Sequence, residues 1–127
     1  MNRFCSLYFP WLIWMAAIFY FSSIPDLRIT EEELWDLILR KGAHIVIFGV
    51  LFLLSWRISA QQKVAKPYLW AFIWAVVYAV SDEFHQAFIP TRCAGFFDVL
   101  IDSFGILIAG LWLLDLLKIL RKKLKYQ

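Results

Sequence analysis

The chain has 127 residues, of which 62% are hydrophobic and 19% aromatic, and carries a formal net charge of +3. A soluble domain of this size is nearer half apolar, so the composition excludes one and leaves no room for a soluble module beside a membrane domain. The charge is too small, and the basic residues too concentrated at the ends of apolar runs, for nucleic acid to be a partner.

Four apolar runs approach the roughly 20 residues that a helix needs to cross a bilayer; they cover residues 4–21, 42–58, 67–88 and 96–117. They predict an all-α, integral membrane four-helix bundle, with residues 1–127 forming a single domain. The first run follows Arg3, yet it is too long for the apolar core of a signal peptide and ends without a small-x-small cleavage site. It reads as an uncleaved span, with Pro10 expected to kink it. Cys5 lies near its start and Cys93 beyond the third run, about a bilayer thickness away, which excludes a disulfide between them. No Cys-x-x-Cys motif is present.

The loop after the first run contains Ser22-Ser23-Ile24-Pro25 and then Thr30-Glu31-Glu32-Glu33. Thr30 with Glu33 three residues on has the form of a capping box, and the acidic triplet suits a helix N-terminus. Leu34, Leu37 and Ile38 follow at helical spacing. Together they predict a short amphipathic helix in the first outer loop, leading through Arg40-Lys41-Gly42 into the second span. Lys41 and His44 stand three apart at the start of that span and share a helix face.

The third run is apolar from Tyr68 to Val80, about 20 Å of helix. Because the hydrocarbon core is about 30 Å thick, the following Asp82, Glu83, His85 and Gln86 fall within the outer part of the bilayer rather than above it. Such groups cannot face lipid cheaply and must point into the bundle or a wet cavity. Either a structural hydrogen-bond network or a functional site meets that requirement. Pro90 ends the helix and Arg92 occupies the tight turn after it. In the fourth run Asp98, Asp102, Gly105 and Ala109 lie on one face, and the small residues allow another helix to approach closely. Asp98 and Asp102 are then expected to meet Arg92, Lys41 and the histidines.

Basic residues set the expected orientation. Arg3, Arg57, Lys63, Lys66, Lys118, Arg121, Lys122, Lys123 and Lys125 fall on one side of a four-span arrangement, against Arg28, Arg40, Lys41 and Arg92 on the other. The positive-inside rule places both termini in the cytoplasm and the polar cluster toward the outside of the cell membrane.

The residues quoted above carry a resemblance. Ser22-Ser23-x-Pro25, Lys41-x-x-His44 and Asp82-Glu83-x-His85-Gln86-x-Phe88-x-Pro90-x-Arg92, followed by Asp98, Gly105 and Gly110, resemble the VanZ-like family over most of the chain. Asp102 stands where the family more often has asparagine, and Cys93 where it has a small polar residue. The resemblance implies a bacterial cell-envelope protein linked, in its best-known members, to reduced susceptibility to teicoplanin and related lipoglycopeptides; it implies no reaction.

Three mechanisms remain open. The leading one is an outward-facing site of Lys41, His44, Asp82, Gln86, Arg92, Asp98 and Asp102 that binds or remodels an anionic envelope lipid or the head group of a cell-wall precursor. Arg92 and Lys41 would hold its phosphate. The second is a hydrolase or transferase acting on a lipid-linked substrate with Glu83 or His85 as general base. His44, Asp82, Glu83 and His85 would suit zinc or manganese there, although no motif requires a cofactor. The third is a proton-coupled transporter, which four short spans could build only as a homo-oligomer.

Overall fold

The structure, a computed structural model, describes residues 3–92 and 95–124. It contains four α-helices: α1 (Arg3–Ser22), α2 (Glu33–Gln61), α3 (Pro67–Gln86) and α4 (Phe96–Leu124), with no strand among the described residues. The all-α four-helix architecture agrees with the apolar runs. Cys93, and with it the expected separation from Cys5, lies outside the described residues.

Three helices, α1, α2 and α4, are long and apolar enough to cross a membrane. Helix α3 is 20 residues long, but Asp82, Glu83, His85 and Gln86 in its last turns, with its tyrosines and tryptophans, dilute its apolar content. Helix α1 continues as helix through Pro10.

The segment between α1 and α2 differs from expectation at two points. The amphipathic segment is no separate helix but the opening turns of α2, which runs unbroken through Gly42. One interior glycine costs a helix only about 1 kcal/mol, less than the packing along α2 returns. Nor is Thr30 the cap. Glu32 occupies that position with extended backbone and no side-chain cap bond. The carboxylate of Asp36 instead accepts the backbone N–H groups of Ile29 (2.6 Å) and Thr30 (3.4 Å), drawing the incoming loop across the first turn.

Helix α2 is the hub. It packs most extensively on α4, then on α3, and more lightly on α1. Phe48, Leu51 and Phe52 of α2 meet Ala71, Ala75 and Ala79 of α3 and Ile106 and Leu113 of α4 in the core, with Ile18 of α1 closing one side. The alanine stripe recurs every four residues, so α3 offers a flat face that larger side chains can approach. Large apolar side chains point outward on every helix, among them Phe9, Val46, Val77 and Leu111. In lipid, apolar burial does not drive helices together, so close packing and hydrogen bonds between helices must hold this bundle.

Those hydrogen bonds fasten α1 to its neighbours. The indole N–H of Trp11 donates to Ser55 Oγ (3.1 Å), that of Trp14 to the Ile47 carbonyl (2.9 Å), and the Tyr78 hydroxyl to the Met15 carbonyl (2.8 Å). Beyond the helix ends, Asp26 N–H donates to Thr91 Oγ1 (2.8 Å), tying the loop before α2 to the loop after α3.

Candidate functional site

The site begins where α2 and α4 run side by side in the same direction. Gly49 and Gly105 let the backbones approach: a Cβ on Gly49 would stand 3.2 Å from the Gly105 carbonyl oxygen, and one on Gly105 would strike the backbone of Ile45. One to two turns toward the N-terminal ends of both helices the facing positions are ionisable. Lys41 forms an ion pair with Asp98, and His44 Nδ1 lies 2.9 Å from Asp102 Oδ1. Asp102 is completely buried. From α3, Glu83 reaches the same place, where its carboxylate accepts the backbone N–H of Gly95 at 3.2 Å.

A second group forms on the other side of α3, against α1. Gln86 donates to Asp82 Oδ2 (2.8 Å) and to Ser22 Oγ (3.3 Å), with all three side chains buried. His85 stacks on Phe19, with its Nε2 2.9 Å from Ser23 Oγ. The Ser23 hydroxyl already donates to the Phe19 carbonyl (2.7 Å). It has one proton to give, so in this contact His85 Nε2–H is the donor. Glu83 and His85, two residues apart on one helix, therefore face different neighbours.

The sequence led to the expectation that Arg92 meets the carboxylates; this is corrected. Its guanidinium donates to backbone carbonyls at the end of α1, from Nε to Ile24 (3.2 Å) and from Nη2 to Phe21 (3.0 Å) and Ile24 (3.1 Å). Carbonyls at a helix end have no intrahelical partner and attract a planar donor strongly. Burial and the proximity of Arg40 lower the Arg92 pKa, while Asp82 and Glu83 oppose the shift; the group stays cationic.

Between the two groups lies a cavity of about 300 Å³. Trp14, Ala17, Ile18, Ile47 and Phe48 form its apolar wall, and Arg40, His44, Asp82, Gln86 and Arg92 its polar end. A second cavity of about 360 Å³, lined by Asp26, Arg28, Thr30, Glu33 and Asp36 among others, adjoins it. Leu27, Arg40 and Arg92 line both. Helix α2 and the turn after α3 thus set two guanidinium groups, with Leu27 beside them, between an apolar and a polar chamber.

The expected site residues therefore divide into three groups. Lys41, His44, Glu83, Asp98 and Asp102 come together; Asp82 and Gln86 form a separate buried pair; His85 and Arg92 are turned toward α1. Arg40 and Asp36 were missed as site residues. The signal was present: Arg40 lies four residues from both Asp36 and His44. Arg40 Nε is 2.8 Å from Asp36 Oδ2. Asp36→Ala removes that contact and both loop hydrogen bonds, and should cost about 1–2 kcal/mol, as lost caps do. Faster amide exchange at Ile29 and Thr30, with the rest of α2 unchanged, is the expected readout; unchanged exchange would deny Asp36 this role.

A family model described as VanZ/LLP1 matches residues 7–118. No curated protein and no solved structure matches the chain.

Proposed function

Because the chain belongs to the VanZ-like family, we propose that this membrane protein binds the anionic head group of an envelope lipid or lipid-linked cell-wall precursor. In this reading α3 is a fourth span, both termini lie in the cytoplasm, and the paired cavities open toward the outer face. The single observation behind it is the wall of Leu27, Arg40 and Arg92 shared by an apolar and a polar cavity. A lipid phosphate is amphipathic in the same order. Its chain would lie against Trp14, Ile18 and Phe48, and its phosphate would take donors from the two guanidinium groups, whose planar forks suit that anion. Sequestering or presenting such a head group is how the protein would lower susceptibility to a lipoglycopeptide.

Two measurements test the proposal. Native mass spectrometry of the purified protein with phosphatidylglycerol and phosphatidylcholine should show preferential retention of the anionic lipid. Arg40→Ala should weaken that retention by roughly 10- to 100-fold, the loss of one charged hydrogen-bonding group. Equal retention by Arg40→Ala would remove the basis of the reading. For orientation, a reporter active only in the cytoplasm should work when fused to the C-terminus. An inactive cytoplasmic reporter beside an active periplasmic one would reverse the assigned faces.

A further inference from the structure

We propose that His44, Glu83 and Asp102 form a binding site for a divalent cation of the zinc class, held between α2, α4 and the end of α3. Each helix supplies one ligand, and the three donor atoms all lie within 4.8 Å of one another. Zinc bonds of about 2.0–2.1 Å set the donor atoms of a tetrahedral site about 3.4 Å apart. His44 Nδ1 and Asp102 Oδ1, at 2.9 Å, already stand near that separation. Rotation of the Glu83 side chain supplies the remaining closure.

The second observation is an unpartnered atom. Asp102 is fully buried, and its Oδ2 has no hydrogen-bond partner among the described residues. A buried oxygen that gives up water and gains no donor is costly, and a bound cation removes that cost. The neighbouring cations are engaged elsewhere. Lys41 pairs with Asp98, Arg40 with Asp36, and Arg92 with the carbonyls of Phe21 and Ile24. Glu83 is also buried and receives a backbone N–H rather than a cation. Two desolvated carboxylates side by side repel unless a positive charge is shared between them.

The donor set selects among ions. One imidazole nitrogen with two carboxylate oxygens suits zinc, which accepts three protein ligands and keeps a fourth position open. Magnesium and calcium prefer oxygen ligands throughout. Asp82 and His85 are not ligands, since Asp82 is bonded to Gln86 and His85 to Ser23.

The test is a zinc titration of the purified, chelator-stripped full chain in detergent, followed by calorimetry and by thermal unfolding. One zinc per chain and a raised unfolding temperature are expected, with no comparable effect of magnesium. Even outer-shell changes weaken metal sites about 10- to 100-fold, so His44→Ala, Glu83→Gln and Asp102→Asn should each weaken binding by about 100-fold or more. Asp115→Asn, at an exposed carboxylate away from the cluster, should bind as the unaltered chain does. Should Asp102→Asn fail to fold, His44→Gln and Glu83→Gln still decide the matter. Absence of stoichiometric zinc in the unaltered chain, or binding lost in His85→Ala but kept in His44→Ala, would overturn the assignment. The titration needs no head-group ligand, so its failure leaves the lipid reading standing.

Discussion

Gly105→Leu is expected to deplete the folded protein from the membrane, whereas Gly42→Ala should leave its abundance unchanged or slightly raised. Both glycines are helical, but their surroundings differ. A Cβ at Gly105 would stand 2.7 Å from Ile45 Cα, which is backbone and cannot swing aside. Overpacking costs up to about 3 kcal/mol even where side chains can move. Here α2 and α4 must separate, breaking the largest helix contact and the Lys41–Asp98 and His44–Asp102 pairs with it. Against a total stability of about 5–15 kcal/mol this is severe. At Gly42 nothing lies within 4 Å of an added Cβ, and alanine there gains about 0.5–1 kcal/mol of helix preference. Gly110→Ala is the intermediate case, because its neighbour is the movable hydroxyl end of Tyr68. Membrane abundance and detergent melting of the three variants check the order; a Gly105→Leu protein as abundant as Gly42→Ala would refute the close approach of these helices.

Arg92→Lys should impair function strongly although it preserves charge. The guanidinium bridges Phe21 and Ile24 with three hydrogen bonds while lining both cavities. Nη2 alone reaches both carbonyls, which a lysine ammonium can also do, but an ammonium has no second nitrogen to make the Nε bond to Ile24 or to present a planar fork to a phosphate. Losing one or two charged hydrogen bonds costs about 2–4 kcal/mol, roughly 30- to 1,000-fold in the population with the end of α1 correctly docked. Lipid retention, with hydrogen exchange at Ser23 and Ile24, should register the loss together at equal membrane abundance. Full retention in Arg92→Lys would show that charge alone suffices and that the fork geometry is irrelevant.

The contrast between Arg40 and Arg92 marks the boundary of what a sequence discloses. Charge among apolar residues is legible in one dimension, so Asp82, Glu83, Asp98, Asp102 and the basic residues near them stand out along the chain. Which cation meets which anion is not, because an arginine chooses between carboxylates and carbonyls by distance. The end of α1 lies against the turn after α3, and the Phe21 and Ile24 carbonyls there take Arg92.

The same distinction applies to the helices. By itself the sequence determined four apolar segments, the membrane class, the family and the face of α4 that carries Asp98, Asp102, Gly105 and Ala109, since composition and periodicity are local properties. It also read Thr30 as a cap, because a capping box is judged on four residues. Only the tertiary structure decided that Asp36 holds that loop and that α2 continues through Gly42, since both depend on contacts made after the chain has folded back on itself. It alone decided the grouping of Glu83 with His44 and Asp102, and of His85 with Ser23. Residues two apart on a helix point to nearly opposite sides, and what waits on each side is set by helix packing.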